Sequence, residues 1–254
     1  MSNKNNSTLN QNEENDIIVG RNSVVELLKS GRKINRLVIA EGSRDKTIQK
    51  IISLARENQI IFENVPRARL DKIHSNHQGV IAYTTPIEYS TLEEILKPSA
   101  INHQPLILLL DELEDPHNFG AILRTADAVG VNGVLIPKRR SVSLNATVAK
   151  TSAGAIEYVK VAQINNVAQT IKNLREQNFW IVGSDAEGTI NYNQVDYKKP
   201  IVLVIGSEGK GLRRLTKENC DELVKIPMIG KINSLNASVA AAILMYEIFN
   251  QRNK

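Results

Sequence analysis

The spacing of apolar residues changes along the chain, and the changes divide it. In "RNSVVELLKSG" (21–31) the apolar residues recur at helical spacing, and Gly31 supplies a C-terminal stop. "RLVIA" (36–40) predicts a strand and "KTIQKIISLAREN" (46–58) a helix. "IIFENV" then reads as a strand, "RARLDKI" as a helix and "GVIAYTT" as a strand. Together these form a small mixed α/β unit over residues 16–85. Residues 86–104 carry Pro86 and Pro98, with Pro105 directly after, and read as a linker holding one or two helical turns.

From residue 105 to 254 the pattern alternates. Strands are predicted at Leu106–Leu110, "GVLIP", "YVKVA", "FWIVGS", "IVLVIG" and "ELVKIP". Helices fall at Phe119–Val129, "NATVAKTSAG", "VAQTIKNLREQ", "GLRRLTKEN" and Ala237–Asn250. Strands alternating with helices imply a parallel sheet covered on both faces, so the fold class is α/β. Three loops, "DELEDPHNFG", "GSEGKG" and "MIGKINSLN", each follow a strand and lead into a helix. All three therefore emerge at the carboxyl edge of the sheet, where open α/β sheets bind ligands.

In the helix after Asn118, Phe119, Ile122, Leu123, Ala126 and Val129 share one face and should be core. Arg124 points elsewhere, with Gly120, Ala121 and Ala128 as near neighbours that leave a shallow strip for a bulky group. An ion pair with Asp127 three residues on is the plainer reading of that arginine. Asn118 is a candidate N-cap, with Pro116 setting the entry angle. The last helix is apolar on nearly every side and should be buried all round, with a second subunit covering part of it unless the monomer does so.

Composition narrows the chemistry. Thirty-two basic residues against 27 acidic ones leave a net charge of +5, which suits a polyanionic partner without requiring one. A single cysteine, Cys220, cannot form an internal disulfide, and a reducing cytoplasm fits. No apolar run approaches the roughly 20 residues that span a bilayer. Residues 1–15 have no apolar core and read as a disordered polar tail rather than a secretion signal. His74 and His77 lie close together but lack a cysteine or acid in ligand spacing, so no metal is expected. No serine-hydrolase elbow is present. The glycines at 206, 209 and 211 match neither the dinucleotide nor the P-loop pattern, and Glu208 would repel a phosphate. An adenosine ligand without phosphates fits that loop better.

The blocks "DPHNFGAILRTADAVG", "VLVIGSEGKGL" and "IPMIGKINSLNASVAAAILMYE", in this order, resemble the three motifs of the SpoU-type RNA ribose 2′-O-methyltransferases of the SPOUT superfamily. The front portion, with "GRNSVVELLKSGRKINRLVIA" and "IHSNHQGVIAY", resembles the substrate-binding domain of the bacterial 23S rRNA guanosine 2′-O-methyltransferase branch, itself similar to small ribosomal RNA-binding proteins. The resemblance implies a C-terminal trefoil knot, a known exception to the rule against threaded loops. It also implies S-adenosylmethionine as donor and a homodimer formed through the C-terminal domain. Gly206, Ile226 and Leu235 would contact the donor, with Ser207, Met228 and Ser234 close by. Arg124 would be the catalytic arginine, helped by Asn118, Glu208 and Asn236. The implied substrate is a guanosine ribose in 23S rRNA. A transfer-RNA ribose methyltransferase and a non-catalytic RNA-binding or ribosome-assembly protein are the competing readings.

Overall fold

The computed structural model describes residues 16–43, 45–97, 104–231 and 234–253. The expected tail at 1–15 and part of the expected linker lie outside them.

The first unit is a four-stranded sheet in the order β1-β4-β2-β3, built from β1 (Asp16–Val19), β2 (Ile34–Ala40), β3 (Phe62–Val65) and β4 (Val80–Thr84). Both β1 and β2 pair antiparallel with β4, and β2 pairs parallel with β3. Helices α1 (Arg21–Ser30) and α2 (Lys46–Glu57) pack together against it, and α3 (Arg67–Asp71) is a single short turn. Gly31 closes α1 in the left-handed conformation, as its position predicts. The two histidines diverge. His77 is fully buried, with Nε2 on Asp71 at 2.9 Å and Nδ1 accepting from the Gly79 amide at 2.9 Å, so it serves structure. Strand β1 was not foreseen. Four residues at the end of a polar stretch carry no readable period.

Between the sheets, α4 (Leu92–Leu96) is a helical turn closed by a capping box of Thr91 and Glu94. The second sheet is seven-stranded, in the order β7-β6-β5-β10-β8-β11-β9. Its strands are β5 (Leu106–Asp111), β6 (Gly133–Pro137), β7 (Val161–Ile164), β8 (Trp180–Ser184), β9 (Ile190–Asn191), β10 (Ile201–Gly206) and β11 (Glu222–Lys225). Every pairing in it is parallel. Along β5, Leu106, Leu108 and Leu110 enter one apolar cluster while Ile107 and Leu109 enter another, which is what a sheet covered on both faces requires. The chain leaves β8, pairs β10 on one side of it and returns with β11 on the other.

The covering helices are α5 (Pro116–Ala128), α6 (Ala146–Thr151), α7 (Val167–Glu176), α8 (Arg214–Glu218) and α9 (Ala237–Arg252). Strand β9 was not foreseen, and two further elements differ from the sequence expectation. The strand expected at "YVKVA" begins only at Val161, because Gly154 at φ 98° opens a 3-10 turn over Ala155–Glu157 that consumes Tyr158 and Val159. Helix α9 is not buried all round within the chain. Ala237, Ala241, Leu244, Met245 and Ile248 are buried, while Val239, Tyr246 and Phe249 remain 37–47% exposed.

Candidate active site

Strands β5, β10 and β11 deliver their loops to one edge, as parallel pairing dictates. The β10 loop is the tightest of the three. Gly206 ends the strand, and Ser207 and Gly211 then close a two-residue bridge, N–H to O, at 3.2 and 3.0 Å. Gly209 and Gly211 take φ of 76° and 64°, which favour glycine. The loop folds so closely over Gly206 that an added Cβ would lie 2.4 Å from the Gly211 carbonyl oxygen. Below it, Asp111 at the end of β5 is fully buried and binds Arg213, whose Nε lies 2.8 Å and Nη2 2.6 Å from Oδ1. That pair anchors the far end of the loop to the neighbouring strand.

A pocket of about 340 Å³ opens on this loop. Gly206, Ser207, Ile226, Met228, Ser234 and Leu235, all six expected donor contacts, line it, and Glu208 joins them. Ser184, Asp185 and Ala186 complete one side. Those three were missed. They lie at the end of β8 and just after it, between β10 and β11, but nothing in "GSDA" marks them before the strand order is known. The described lining contains Asp185 and Glu208 but no lysine or arginine, although Asp185 pairs with Lys217 at 2.7 Å. Acids beside Ile205, Ile226 and Leu235 suit a cationic, phosphate-free ligand with an apolar body, and S-adenosylmethionine has that character.

The pocket wall is a polar junction. Glu208 Oε1 accepts from Asn118 Nδ2 and from Asn236 Nδ2, each at 2.7 Å, and Asn236 Nδ2 also reaches Asn118 Oδ1 at 2.9 Å. The carboxylate thus sits at the amino ends of α5 and α9, where both helix dipoles favour negative charge. Asn236 caps α9, its Oδ1 accepting from the Ser238 and Val239 amides. Asn118 does not cap α5, contrary to expectation. Asp115 does, accepting from the His117 and Asn118 amides, with Pro116 in the first turn. The helix therefore starts earlier than expected, and the Asn118 side chain is left for the junction.

Arg124 stands apart from these residues. It lies six residues beyond Asn118, roughly 9 Å along the helix axis, and lines a different cleft with Asp127, Glu26 and Lys50. The ion pair with Asp127 does not form, and no other described side chain pairs with Arg124. The shallow strip expected beside it is absent at Gly120, which is buried and whose added Cβ would lie 1.9 Å from Thr151 Oγ1. Gly120 exists for the packing of α5 on α6. Among the described residues no group of three or more histidine, cysteine or acidic side chains could hold a metal, and no helix is long and apolar enough to cross a membrane.

Known proteins resemble this chain in sequence and in fold. Residues 105–246 match the model of the SpoU rRNA Methylase family, and residues 17–90 match that of the RNA 2′-O ribose methyltransferase substrate-binding domain. A TrmH family tRNA/rRNA methyltransferase of Bacillus subtilis, YacO, is 49% identical over 95% of this chain and 98% of its own length. A homologue of the same description from Staphylococcus aureus is 47% identical over 94% and 98%. Among solved structures, an RNA 2′-O ribose methyltransferase superposes with a TM-score of 0.80 at 29% identity, covering 94% of this chain and 89% of its own. The SpoU methyltransferase AviRb of Streptomyces viridochromogenes, solved in complex with AdoMet, shares the fold with a TM-score of 0.76 at 22% identity over 94% and 91%. On these matches, together with the three converging loops, the chain belongs to the SpoU rRNA Methylase family of TrmH/SpoU RNA 2′-O ribose methyltransferases.

Proposed function

We propose that this protein transfers a methyl group from S-adenosylmethionine to the 2′-hydroxyl of a guanosine ribose in 23S rRNA, acting as a cytoplasmic homodimer. In this reading residues 16–85 form the RNA-binding domain, 86–104 the linker and 105–254 the methyltransferase domain, with the chain threaded as a trefoil knot. The observation that carries it is the single pocket shared by Gly206, Ser207, Ile226, Met228, Ser234 and Leu235, walled by the Asn118–Glu208–Asn236 junction. When bound there, the donor supplies a sulfonium methyl and leaves as a neutral thioether.

The chain's own residues do the positioning. The backbone of 206–211 and the apolar Ile226 and Leu235 fix the donor, and Glu208 holds the starts of α5 and α9 together beside it. Alignment of the two reactants can contribute on the order of 7–11 kcal/mol to lowering the barrier. Arg124 lies outside the pocket of its own chain, so we assign it to the pocket of a second copy. Two features support this: α5 packs against α9, and α9 leaves Val239, Tyr246 and Phe249 exposed as an apolar face for a partner. A guanidinium stays protonated at working pH. Arg124 therefore stabilises the developing alkoxide and grips a phosphate, while the 2′-hydroxyl proton passes to solvent water as the oxygen–methyl bond forms and the sulfur–methyl bond breaks. Arg124→Lys keeps the charge and loses the planar fork. Its methylation rate is expected to fall at least tenfold with S-adenosylmethionine binding unchanged, and a wild-type rate would remove the arginine from this role.

The front domain supports ribosomal RNA. A TrmH/SpoU tRNA-modifying enzyme from A. aeolicus aligns with only 60% of this chain, at 34% identity. Incubation of the protein and labelled donor with rRNA and tRNA separately tests the assignment. Label in 23S rRNA is expected, and label in tRNA alone would reassign the substrate. No donor binding by calorimetry would favour a non-catalytic RNA-binding protein.

A further inference from the structure

The cleft that holds Arg124 measures about 490 Å³ and lies between the two sheet units, with α1 and α2 on one side and α5 and the turn after α6 on the other. Its size is that of a small-ligand site. Lys50, Arg124 and Asp127 face it, and among the described residues none of the three spends its side chain on a hydrogen bond or ion pair. The other acid, Glu26, is engaged, with Oε1 accepting from Lys29 Nζ and Oε2 from the Tyr158 hydroxyl, each at 2.8 Å. Burial, then the charge of Glu26, raises the Asp127 carboxyl above the usual carboxylate range, so this group gains from any donor that enters.

Two cations and one unpartnered carboxylate in a polar cleft are complementary to a nucleotide. The cations suit phosphates, and the carboxylate suits donors on a base edge. Guanine presents two adjacent donors, N1–H and the N2 amino group, which meet both oxygens of a carboxylate. Adenine and cytosine present a single amino group on the corresponding edge, and uracil a single N–H. We infer that this interdomain cleft seats the substrate guanosine, with Asp127 reading the guanine edge while Arg124 and Lys50 hold the adjoining phosphates. The inference rests on the RNA-directed reading above and deepens it: the substrate-binding unit and the methyltransferase unit read one nucleotide jointly.

Titration of the isotope-labelled full-length protein with guanosine, inosine and adenosine 5′-monophosphates, followed by NMR, tests it without requiring turnover. Inosine differs from guanosine only by the missing 2-amino group. Guanosine monophosphate should perturb the amides of Asp127 and Lys50 and bind on the order of 5- to 150-fold more tightly than the inosine analogue. Asp127→Asn should erase that difference, and Lys50→Gln should weaken all three nucleotides alike. Equal binding of the guanosine and inosine nucleotides, or perturbations confined to Gly206 and Leu235, would overturn the inference. Should Asp127→Asn misfold, the wild-type comparison and Lys50→Gln still decide. If the protein prefers the guanosine nucleotide in this cleft but methylates no RNA, the proposed function fails and the cleft assignment stands; if it methylates RNA without any guanine preference here, the function stands and the cleft assignment fails.

Discussion

At Gly206 a single methyl group is decisive. A Cβ there would meet the carbonyl carbon and oxygen of Gly211 at 2.3 and 2.4 Å and the Leu212 amide nitrogen at 2.6 Å, all backbone atoms that cannot step aside alone. Gly206→Ala is expected to displace the loop, reduce S-adenosylmethionine affinity at least tenfold by calorimetry, and cost about 1–3 kcal/mol of stability. Affinity within twofold of wild type would mean that the loop does not form the pocket floor. Cys220 makes a second residue-scale prediction. Burial, then the neighbouring Asp221 charge, pushes its thiol up to about 12, so a thiol reagent at pH 8 should label it only after denaturation. Rapid labelling of the native protein would show that the region around α8 opens.

That the three loops meet at one edge was legible from strands alternating with helices, whereas the six residues proposed to contact the donor came from the resemblance to the SpoU motifs and not from periodicity. Asn118 and Arg124 were only half legible. Their helix was visible from its apolar face, but its cap was not, because Asp115 and Asn118 are both good capping residues on either side of a proline. Periodicity gives the face of the helix on which Arg124 lies but not which cleft that face meets, so the separation of Arg124 from the pocket could not be read.

Helix α5 links the sheet edge to the pocket, and its start is set by Asp115. Asp115→Ala should lower stability by about 0.5–2 kcal/mol in urea unfolding. The same change at Asn118 should leave the cap intact and instead lower catalysis, since it removes a donor from Glu208. An Asn118→Ala variant with the stability loss of Asp115→Ala and full activity would reverse the two roles. At the other end of the junction, α9 leaves Val239, Tyr246 and Phe249 exposed. Tyr246→Asp with Phe249→Asp is expected to give a monomer in analytical ultracentrifugation where the wild type sediments as a dimer. A wild-type monomer at micromolar concentration would contradict the homodimer. At this scale the sequence misled where elements were short: β1 and β9 have four and two residues, too few to establish a period.

Across the whole molecule, the two units are held together by named contacts. Arg32 Nη1 meets Glu157 Oε1 at 2.8 Å with side chains 13% and 5% exposed, and Gly154 lies so close to Glu26 that an added Cβ would approach its Cβ to 2.5 Å. Arg32→Ala would remove the cationic partner of the nearly buried Glu157 and leave it the Ser30 hydroxyl at 3.2 Å, a loss of about 3–5 kcal/mol in urea unfolding. It should also loosen the cleft shared by Lys50 and Arg124. The change from one mixed unit to strands alternating with helices was visible in the apolar pattern, whereas the packing of the two units on each other depends on side chains more than a hundred residues apart.

If the loops after β5, β10 and β11 assemble one pocket that delivers a methyl group to a ribose hydroxyl, the reaction marks the RNA in a way that can be read directly. The direct measurement is mass spectrometry of nucleosides from RNA incubated with this protein and donor carrying a deuterated methyl group. The label should appear on a 2′-O-methylated nucleoside and vanish with Gly206→Ala. Label on a base atom, or label that persists in Gly206→Ala at the wild-type level, would show that this pocket does not methylate ribose.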